Sequence, residues 1–185
     1  MRIAVYSGSF DPLHVGHQAI MEYLTRDENF DWVYLVISPQ NPFKDPRKAL
    51  NAQQRYRDAI AAVRRHPELR VWVDDIELGM PQPNYTVLTL DALRKREPGN
   101  EFSLVIGADN LAEIELWRES SRLLSEYELL VYPREGSDPQ SVRAALLEKN
   151  PSFRIRLLDA PVVDISSTEI RERQALGMDV SALLM

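Results

Sequence analysis

Short apolar stretches alternate along this chain with longer stretches in which apolar residues recur at helical spacing. The short stretches are rich in Val, Ile and Leu, and they are apolar at successive positions, as in strands covered on both faces. This alternation predicts a parallel sheet with helices on both sides, joined by right-handed crossovers. The predicted strands are Arg2–Ser7, Trp32–Ser38, Arg70–Asp75, Phe102–Ile106, Glu128–Tyr132 and Arg154–Leu158.

Helical patterns lie between these strands, and no linker is long enough to divide the chain. We therefore predict one domain over residues 1–185, with an α/β, doubly wound parallel sheet. No internal repeat or low-complexity segment changes this prediction. The predicted helices are Val15–Arg26, Ala52–Arg65, Thr86–Arg96, Leu111–Trp117, Ser120–Tyr127 and Pro139–Lys149.

Loops that follow predicted strands carry the candidate chemistry. Residues 8–14, 39–46 and 107–109 each follow a predicted strand, and they are rich in Gly, Pro and polar side chains. Open α/β sheets bind ligands outside the carboxyl ends of their strands. We expect the functional site there, and we expect the loop at residues 79–84 to contribute to it.

The first of these loops contains a Gly-Ser-Phe-Asp-Pro-Leu-His-Val-Gly-His sequence at residues 8–17. Gly8 allows a tight turn, and the backbone amides after it can point at phosphate oxygens. The helix that begins near His14 adds the positive end of its dipole. His14 and His17 are three residues apart, so they share one face of the first helical turn and can donate to a phosphoryl group. The segment predicts a phosphate-binding turn.

Absent motifs and the composition exclude several other classes of binding site and protein. The P-loop sequence and the G-x-G-x-x-G sequence are absent, and the two histidines lack the further ligands that a zinc site needs. There is no cysteine, and the net charge of −6 argues against a polymeric nucleic-acid partner. No apolar run approaches a membrane span, and no signal peptide precedes the first strand. We expect a cytoplasmic protein without a membrane partner.

Residues 8–17 resemble the first signature of the nucleotidyltransferase superfamily with the (T/H)xGH motif. Residues 165–171, Ile-Ser-Ser-Thr-Glu-Ile-Arg, resemble its second signature. Ser166 and Glu169 also form a capping-box pattern, which predicts a helix start whatever the function. The resemblance implies a Rossmann-like nucleotidyltransferase fold, in which a nucleoside triphosphate lies between the two motifs.

Four further segments are similar to those of bacterial nicotinate-mononucleotide adenylyltransferases. The resemblance runs in order from about residue 1 to residue 177. Its segments are Ser38–Lys44, Asn84–Leu90, Ile106–Asn110 with Trp117, and Val131–Arg134.

This resemblance implies transfer of AMP from ATP to nicotinate mononucleotide with Mg²⁺, and it implies a role for each matching residue. It implies catalysis by in-line positioning and charge stabilisation, with no protein ligand assigned to the metal. The implied catalytic residues are His14, His17, Lys44 and Arg171. The implied ATP-binding residues are Gly8, Ser9, Phe10, His14, His17, Gly107, Asp109, Ser166, Ser167, Thr168 and Arg171. The implied substrate-binding residues are Asn41, Lys44, Thr86, Trp117 and Arg134.

Two other functions stay open from the sequence. The acceptor could be nicotinamide mononucleotide or phosphopantetheine, because the acid–amide choice depends on what meets the pyridine substituent. A catalytically silent nucleotide-binding module is the second alternative, against which His14, His17, Lys44 and Arg171 argue. The sequence also leaves the oligomeric state open, a homo-oligomer included.

Overall fold

A computed structural model describes residues 1–39 and 52–185, which form a six-stranded, all-parallel sheet. The strand order is β3-β2-β1-β4-β5-β6. The predicted α/β, doubly wound architecture is therefore confirmed, with small shifts at the strand ends. The strands are β1 (Arg2–Gly8), β2 (Trp32–Ile37), β3 (Val71–Asp74), β4 (Glu101–Gly107), β5 (Glu128–Tyr132) and β6 (Ile155–Leu157).

The helices confirm most of the sequence prediction, and one segment corrects it. Instead of a single helix at Leu111–Trp117, a short helix begins directly after β4 and a 3₁₀ turn follows it at Ile114–Leu116. The helices are α1 (Val15–Arg26), α2 (Ala52–Arg64), α3 (Thr86–Arg96), α4 (Ala108–Ala112), α5 (Ser120–Glu126), α6 (Pro139–Lys149) and α7 (Ser167–Ala175). Further 3₁₀ turns occupy Ile76–Gly79 and Ser181–Leu183.

The central strand β1 is buried on both faces, which explains its continuous apolar sequence. Ala4 and Tyr6 belong to one hydrophobic cluster with Met21 of α1. Ile3 and Val5 belong to a second cluster, which includes residues of α3, α4 and α5. Successive strand residues point to opposite faces, so each face of β1 packs on its own helical layer. A fully buried aliphatic side chain contributes about 1.5–3 kcal/mol, and these layers hold the sheet rigid.

The strand order places a topological switch point between β1 and β4. From this point the chain winds in opposite directions, so the loops after the two strands diverge and leave a crevice. The register brings Tyr6 beside Val105, and Gly107 beside Tyr132, along the same edge of the sheet. The carboxyl ends of β1, β4 and β5 therefore border one crevice.

Within residues 1–39 and 52–185, none of the helices has the length and apolar character that a membrane crossing requires.

Candidate active site at the switch point

A cavity of about 520 Å³ lies at the switch point and brings the two sequence motifs together. Most of its polar lining comes from three parts of the chain. The first motif contributes Ser9, Asp11, His14, Gly16 and His17; the second contributes Ile165, Ser166, Ser167, Thr168, Glu169 and Arg171; and the ends of β4 and β5 contribute Asp109, Tyr132, Pro133, Arg134 and Glu135.

His14 and His17 cap the start of α1 with their own rings. Nδ1 of His14 accepts from the backbone N–H of Gly16 at 3.1 Å. Nδ1 of His17 accepts from the backbone N–H of His14 at 3.2 Å. The two rings are stacked, with centroids 3.6 Å apart and an interplanar angle of 26°. This reciprocal capping box fixes the position of both rings relative to the helix.

The capping bonds also determine which nitrogen carries the proton. Each Nδ1 accepts a hydrogen bond, so the neutral rings hold their proton on Nε2. Burial, together with a smaller effect of the positive charge of Arg134, lowers the pKa of His14 to about 4. Burial is also the main cause that holds the pKa of His17 well below its ordinary value, and His14 and Arg134 add to it. Both rings are therefore neutral Nε2–H donors at pH 7.

Two glycines of the first motif allow close packing around the rings. A Cβ on Gly8 would lie 3.1 Å from the Phe10 ring, and a Cβ on Gly16 would lie 3.0 Å from the His14 ring. Phe10 has a φ of 46°, an unfavourable conformation for an aromatic residue, and its buried ring meets the His17 ring edge-on at 5.0 Å. Packing thus holds a strained turn beneath the histidines.

The second motif is docked onto the turn of the first. Ser166 caps α7 and accepts from the backbone N–H of Glu169 at 3.1 Å, as the capping-box pattern predicted. Ser167 Oγ donates to the carbonyl of Pro12 at 2.9 Å. Arg171 Nη1 donates to the carbonyl of Asp11 at 2.5 Å. Residues 155 or more positions apart in sequence thus form one wall of the cavity.

The opposite wall carries a carboxylate and a guanidinium that face each other. Asp109 Oδ1 lies 3.6 Å from Nε of Arg134, and both side chains are exposed. A Cβ on Gly107 would lie 2.4 Å from that same oxygen, so a side chain at this position would displace Asp109. Asp109 is therefore held at the rim of the cavity by the short turn after β4.

A second cavity of about 350 Å³ lies beside the ends of β1 and β2. Thr86 and Trp117 line it, as do Gln82, Pro83 and Asn84 of the loop that sequence analysis singled out. Trp117 is half-buried and packs on the core of this face with part of its surface. An aromatic wall beside polar groups suits a flat, polar ring.

The two cavities lie on opposite faces of the sheet and approach each other at the end of β1. Tyr6 lines the first and Ser7 lines the second. Because neighbouring strand residues point to opposite faces, a ligand reaching across the end of β1 would touch both cavities. This arrangement can hold two molecules with their reacting ends near residues 7–9.

The structure brings most of the implied site residues to these two cavities. Thr86 and Trp117 share the second cavity, whereas Arg134, which the resemblance assigned to the substrate, lies in the first. Gly8, Phe10 and Gly107 stand behind the cavity lining and shape the turns. Asn41 and Lys44 lie outside the described residues.

Sequence reasoning missed two buried charged residues at the cavities. Arg55 of α2 lines the first cavity, and the carboxylate of Glu77 lines the second. Glu77 accepts from Ser38 at 2.6 Å and from Thr89 at 2.9 Å, so it ties β2 to α3. Arg55 lies on the same face of α2 as three buried alanines. An arginine on an otherwise apolar helix face could have been recognised in the sequence as a candidate site residue. No periodicity marks Glu77.

The described residues do not form a metal site of their own. Within residues 1–39 and 52–185 there is no group of three or more His, Asp or Glu side chains placed to hold a metal ion.

The fold and site are those of a nucleotide-transferring enzyme, and the comparisons with known proteins agree. A sequence model of the family described as "Cytidylyltransferase-like" matches residues 5–173. A protein of Flavobacterium johnsoniae is 36% identical over 184 residues, which cover 100% of this chain and 92% of that protein. A protein of Bacteroides fragilis is 38% identical over 183 residues, which cover 99% of this chain and 87% of that protein. Both carry the name "Probable nicotinate-nucleotide adenylyltransferase".

Solved structures share the fold at low sequence identity. Plasmodium falciparum nicotinic acid mononucleotide adenylyltransferase complexed with NaAD superposes with a TM-score of 0.78 at 19% identity, covering 97% of this chain and 86% of that one. Its complex with APC gives a TM-score of 0.75 at 18% identity, with 99% and 90% covered. The chain belongs to the cytidylyltransferase-like family and, within it, to the nicotinate-nucleotide adenylyltransferases.

Proposed function

We propose that this protein transfers the adenylyl group of ATP to nicotinate mononucleotide, forming nicotinate adenine dinucleotide and pyrophosphate in NAD biosynthesis. One observation carries the proposal: two cavities of different character approach each other across the end of β1. The first is polar and bounded by both nucleotidyltransferase motifs. The second is lined by Thr86 and Trp117, which suit the pyridine ring of the acceptor. The full-length relatives support the same reaction.

The reaction needs positioning and charge stabilisation more than proton transfer. An oxygen of the acceptor's 5′-phosphate forms a bond to the α-phosphorus of ATP, and the bond from that phosphorus to the pyrophosphate oxygen breaks. The attacking phosphate is already ionised at pH 7, so no general base or covalent intermediate is required. The main barrier is the repulsion of two polyanions, which hydrogen-bond donors and cations lower.

His14 and His17 stabilise this charge as neutral donors. Their Nδ1 atoms accept the capping bonds at the start of α1, which directs the proton of each ring to Nε2. We assign these Nε2–H groups to oxygens of the α- and β-phosphates. Because the rings are already oriented before substrate binds, little reorganisation is needed as charge develops.

The second motif and its neighbours would hold the rest of ATP. Ser166, Ser167 and Thr168 start α7, where backbone amides and the helix dipole favour phosphate. Arg171 lies beside them, with Nη2 3.0 Å from Thr168 Oγ1, and a guanidinium suits phosphate oxygens. We assign these groups to the β- and γ-phosphates. Lys44, whose assignment rests on the resemblance, would meet a flanking phosphate.

The wall formed by β4 and β5 would hold the sugar of ATP. The exposed carboxylate of Asp109 can accept hydrogen bonds from ribose hydroxyls, and the turn at Gly107 places it at the rim. Arg134 faces the same cavity, and we assign it to ATP rather than to the acceptor. Gly8, Ser9 and Phe10 would contribute through the backbone of their turn.

The second cavity would take the pyridine mononucleotide. Trp117 offers a flat surface on which an electron-poor pyridinium ring can stack, a contact that includes a cation–π component. Thr86 begins α3 beside it and can hydrogen-bond the ring substituent. Asn41 is assigned to the acceptor phosphate on the resemblance alone.

Adenylyl transfer from ATP generally uses a divalent metal ion, and we propose Mg²⁺. The polar lining of the first cavity suits a metal–nucleotide complex, with phosphate oxygens and water as the main ligands. Asp109 and Asp11 are carboxylates on that lining that could contact the hydrated ion. The ion would neutralise part of the negative charge of the triphosphate.

We propose that the reaction takes place in the cytoplasm, because it consumes ATP and feeds a biosynthetic pathway.

A pyrophosphate-release assay with ATP and Mg²⁺ tests this function. Nicotinate mononucleotide, nicotinamide mononucleotide and phosphopantetheine are compared as acceptors at equal concentration. We expect nicotinate mononucleotide to give the highest kcat/KM. A better rate with phosphopantetheine, or no release with any pyridine mononucleotide, would contradict the proposal, and the second result would favour a silent binding module.

Two histidine variants extend the same assay. His17→Ala removes one donor to the transition state, so kcat should fall at least about a hundredfold while the protein stays folded. His66, the third histidine, pairs with Glu68 away from both cavities, and His66→Ala is the matched control with unchanged turnover. Near-normal turnover in His17→Ala would rule out the assigned role.

A further inference from the structure

A buried arginine in the first cavity has no role in the mechanism above. Arg55 is 5% exposed and lies on the face of α2 that also carries the buried Ala52, Ala59 and Ala62. It lines the cavity together with the turn of the first motif. Arginine is rarely buried to this degree unless its charge is paired. A guanidinium buried at this position therefore needs hydrogen-bond acceptors or an opposite charge.

The partner seen within the described residues satisfies only part of the guanidinium. Nη1 donates to the carbonyl of Ser9 at 2.5 Å. Nη2 is buried and has no hydrogen-bond partner within residues 1–39 and 52–185. Burial lowers the pKa of Arg55, and the nearby carboxylate of Asp11 raises it. An arginine keeps its charge at neutral pH, so Nη2 is a buried cationic donor that lacks an acceptor among the described residues.

The contacts around Arg55 indicate that an anionic oxygen could accept a hydrogen bond from Nη2. Arg55 approaches the turn of the first motif from α2, while Ser167 and Arg171 approach it from α7. All three donate to backbone carbonyls of residues 9–12, so the turn is held by two separate elements. Because the two terminal nitrogens of a guanidinium act as parallel donors, one can hold the turn while the other binds an anionic oxygen.

We propose that Arg55 binds a phosphate oxygen of the nucleoside triphosphate through Nη2 while Nη1 holds the turn at Ser9. The inference rests on the proposed function for the identity of the nucleotide. It adds a cation that comes from α2 to the one that Arg171 contributes from α7. It also links nucleotide binding to α2, the helix that directly follows residues 40–51.

Binding of ATP and of adenosine, each without an acceptor, tests this inference. Calorimetric titrations are compared for the wild type, Arg55→Gln and Arg57→Gln. Arg57 lies on the same helix, is exposed and contacts Gln54, so it controls for loss of one charge. In Arg55→Gln we expect the affinity for ATP to fall about tenfold or more, with adenosine affinity unchanged. Arg57→Gln should bind both ligands as the wild type does.

Two results would overturn the inference. An equal loss for ATP and adenosine in Arg55→Gln would mean that Arg55 only holds the turn, and no loss for either would mean that it has no role in binding. If Arg55→Gln does not fold, Arg55→Lys serves instead. It keeps the charge without the fork, so we expect a smaller loss that is still selective for ATP. These titrations need no acceptor, so they are decided separately from the proposed reaction.

Discussion

His14 and His17 show how one pair of side chains can serve structure and chemistry together. In each ring Nδ1 accepts a hydrogen bond at the start of α1, so the proton of the neutral ring lies on Nε2. A protonated ring could not accept these capping bonds, so protonation would break the capping box. The structural role thus enforces the neutral state that charge stabilisation uses.

The pH dependence of His14 follows from its burial. Its pKa is lowered from 6.5 to about 4, mainly by burial and also by the charge of Arg134. Between these values the unfolded chain binds a proton that the folded protein does not, so acidification favours unfolding. The contribution of His14 to stability is complete above about pH 6.5 and is lost as the pH falls towards 4. NMR titration should show the His14 ring neutral at pH 5.5 with its proton on Nε2.

Chemical denaturation at several pH values measures the same effect as a free energy of unfolding, which should be lower at pH 5 than at pH 7. A His14 ring that titrates near 6.5, or that carries its proton on Nδ1, would contradict the assigned tautomer.

At the scale of elements, the site depends on how closely α1 approaches the segment before α7. Gly16 makes this approach possible: a Cβ there would lie 3.0 Å from the His14 ring and 3.2 Å from Ile165. Ile165 belongs to the small cluster with Ile170 and Val180, which holds the second motif in place. A side chain at position 16 would therefore force these neighbours to move by a few tenths of an ångström.

Gly16→Ala should separate stability from activity. Alanine favours the helix by about 1 kcal/mol, which offsets part of the crowding, so the melting temperature should change by only a few degrees. Displacement of the His14 ring should lower kcat about tenfold or more, because a small shift of an oriented hydrogen-bond donor raises the reaction barrier. Gly99→Ala is the control, since a Cβ there meets nothing within 4 Å. Unchanged turnover in Gly16→Ala would show that this contact does not position the ring.

The pattern of apolar residues predicted the elements well where a strand or helix stands between clear loops. It failed at Leu111–Trp117, because Gly107 ends β4 and caps α4 at once, so no loop separates the two. The motifs predicted that His14 and Arg171 belong to one site, and both residues line the first cavity. Local spacing could not predict the Arg55 contact, because it depends on how α2 packs beside the turn at Ser9.

At the scale of the whole molecule, a protein of net charge −6 places three arginines around the first cavity, together with five carboxylates. Arg55, Arg134 and Arg171 all line the first cavity, where a polyanion would bind. The positions of these individual guanidinium groups therefore matter more for a phosphate ligand than the net charge does, while the negative balance disfavours nucleic-acid polymers. The switch point provides the place, because there the sheet opens on both faces.

In the proposed reaction, one dinucleotide product spans both cavities across the end of β1. A crystal structure of the complex with nicotinate adenine dinucleotide tests this most directly. We expect the adenosine half in the first cavity near Asp109 and the pyridine ring against Trp117 in the second. The bridging phosphates should lie beside His14 and His17. A dinucleotide with both halves in one cavity, or with its pyridine ring away from Thr86 and Trp117, would contradict it.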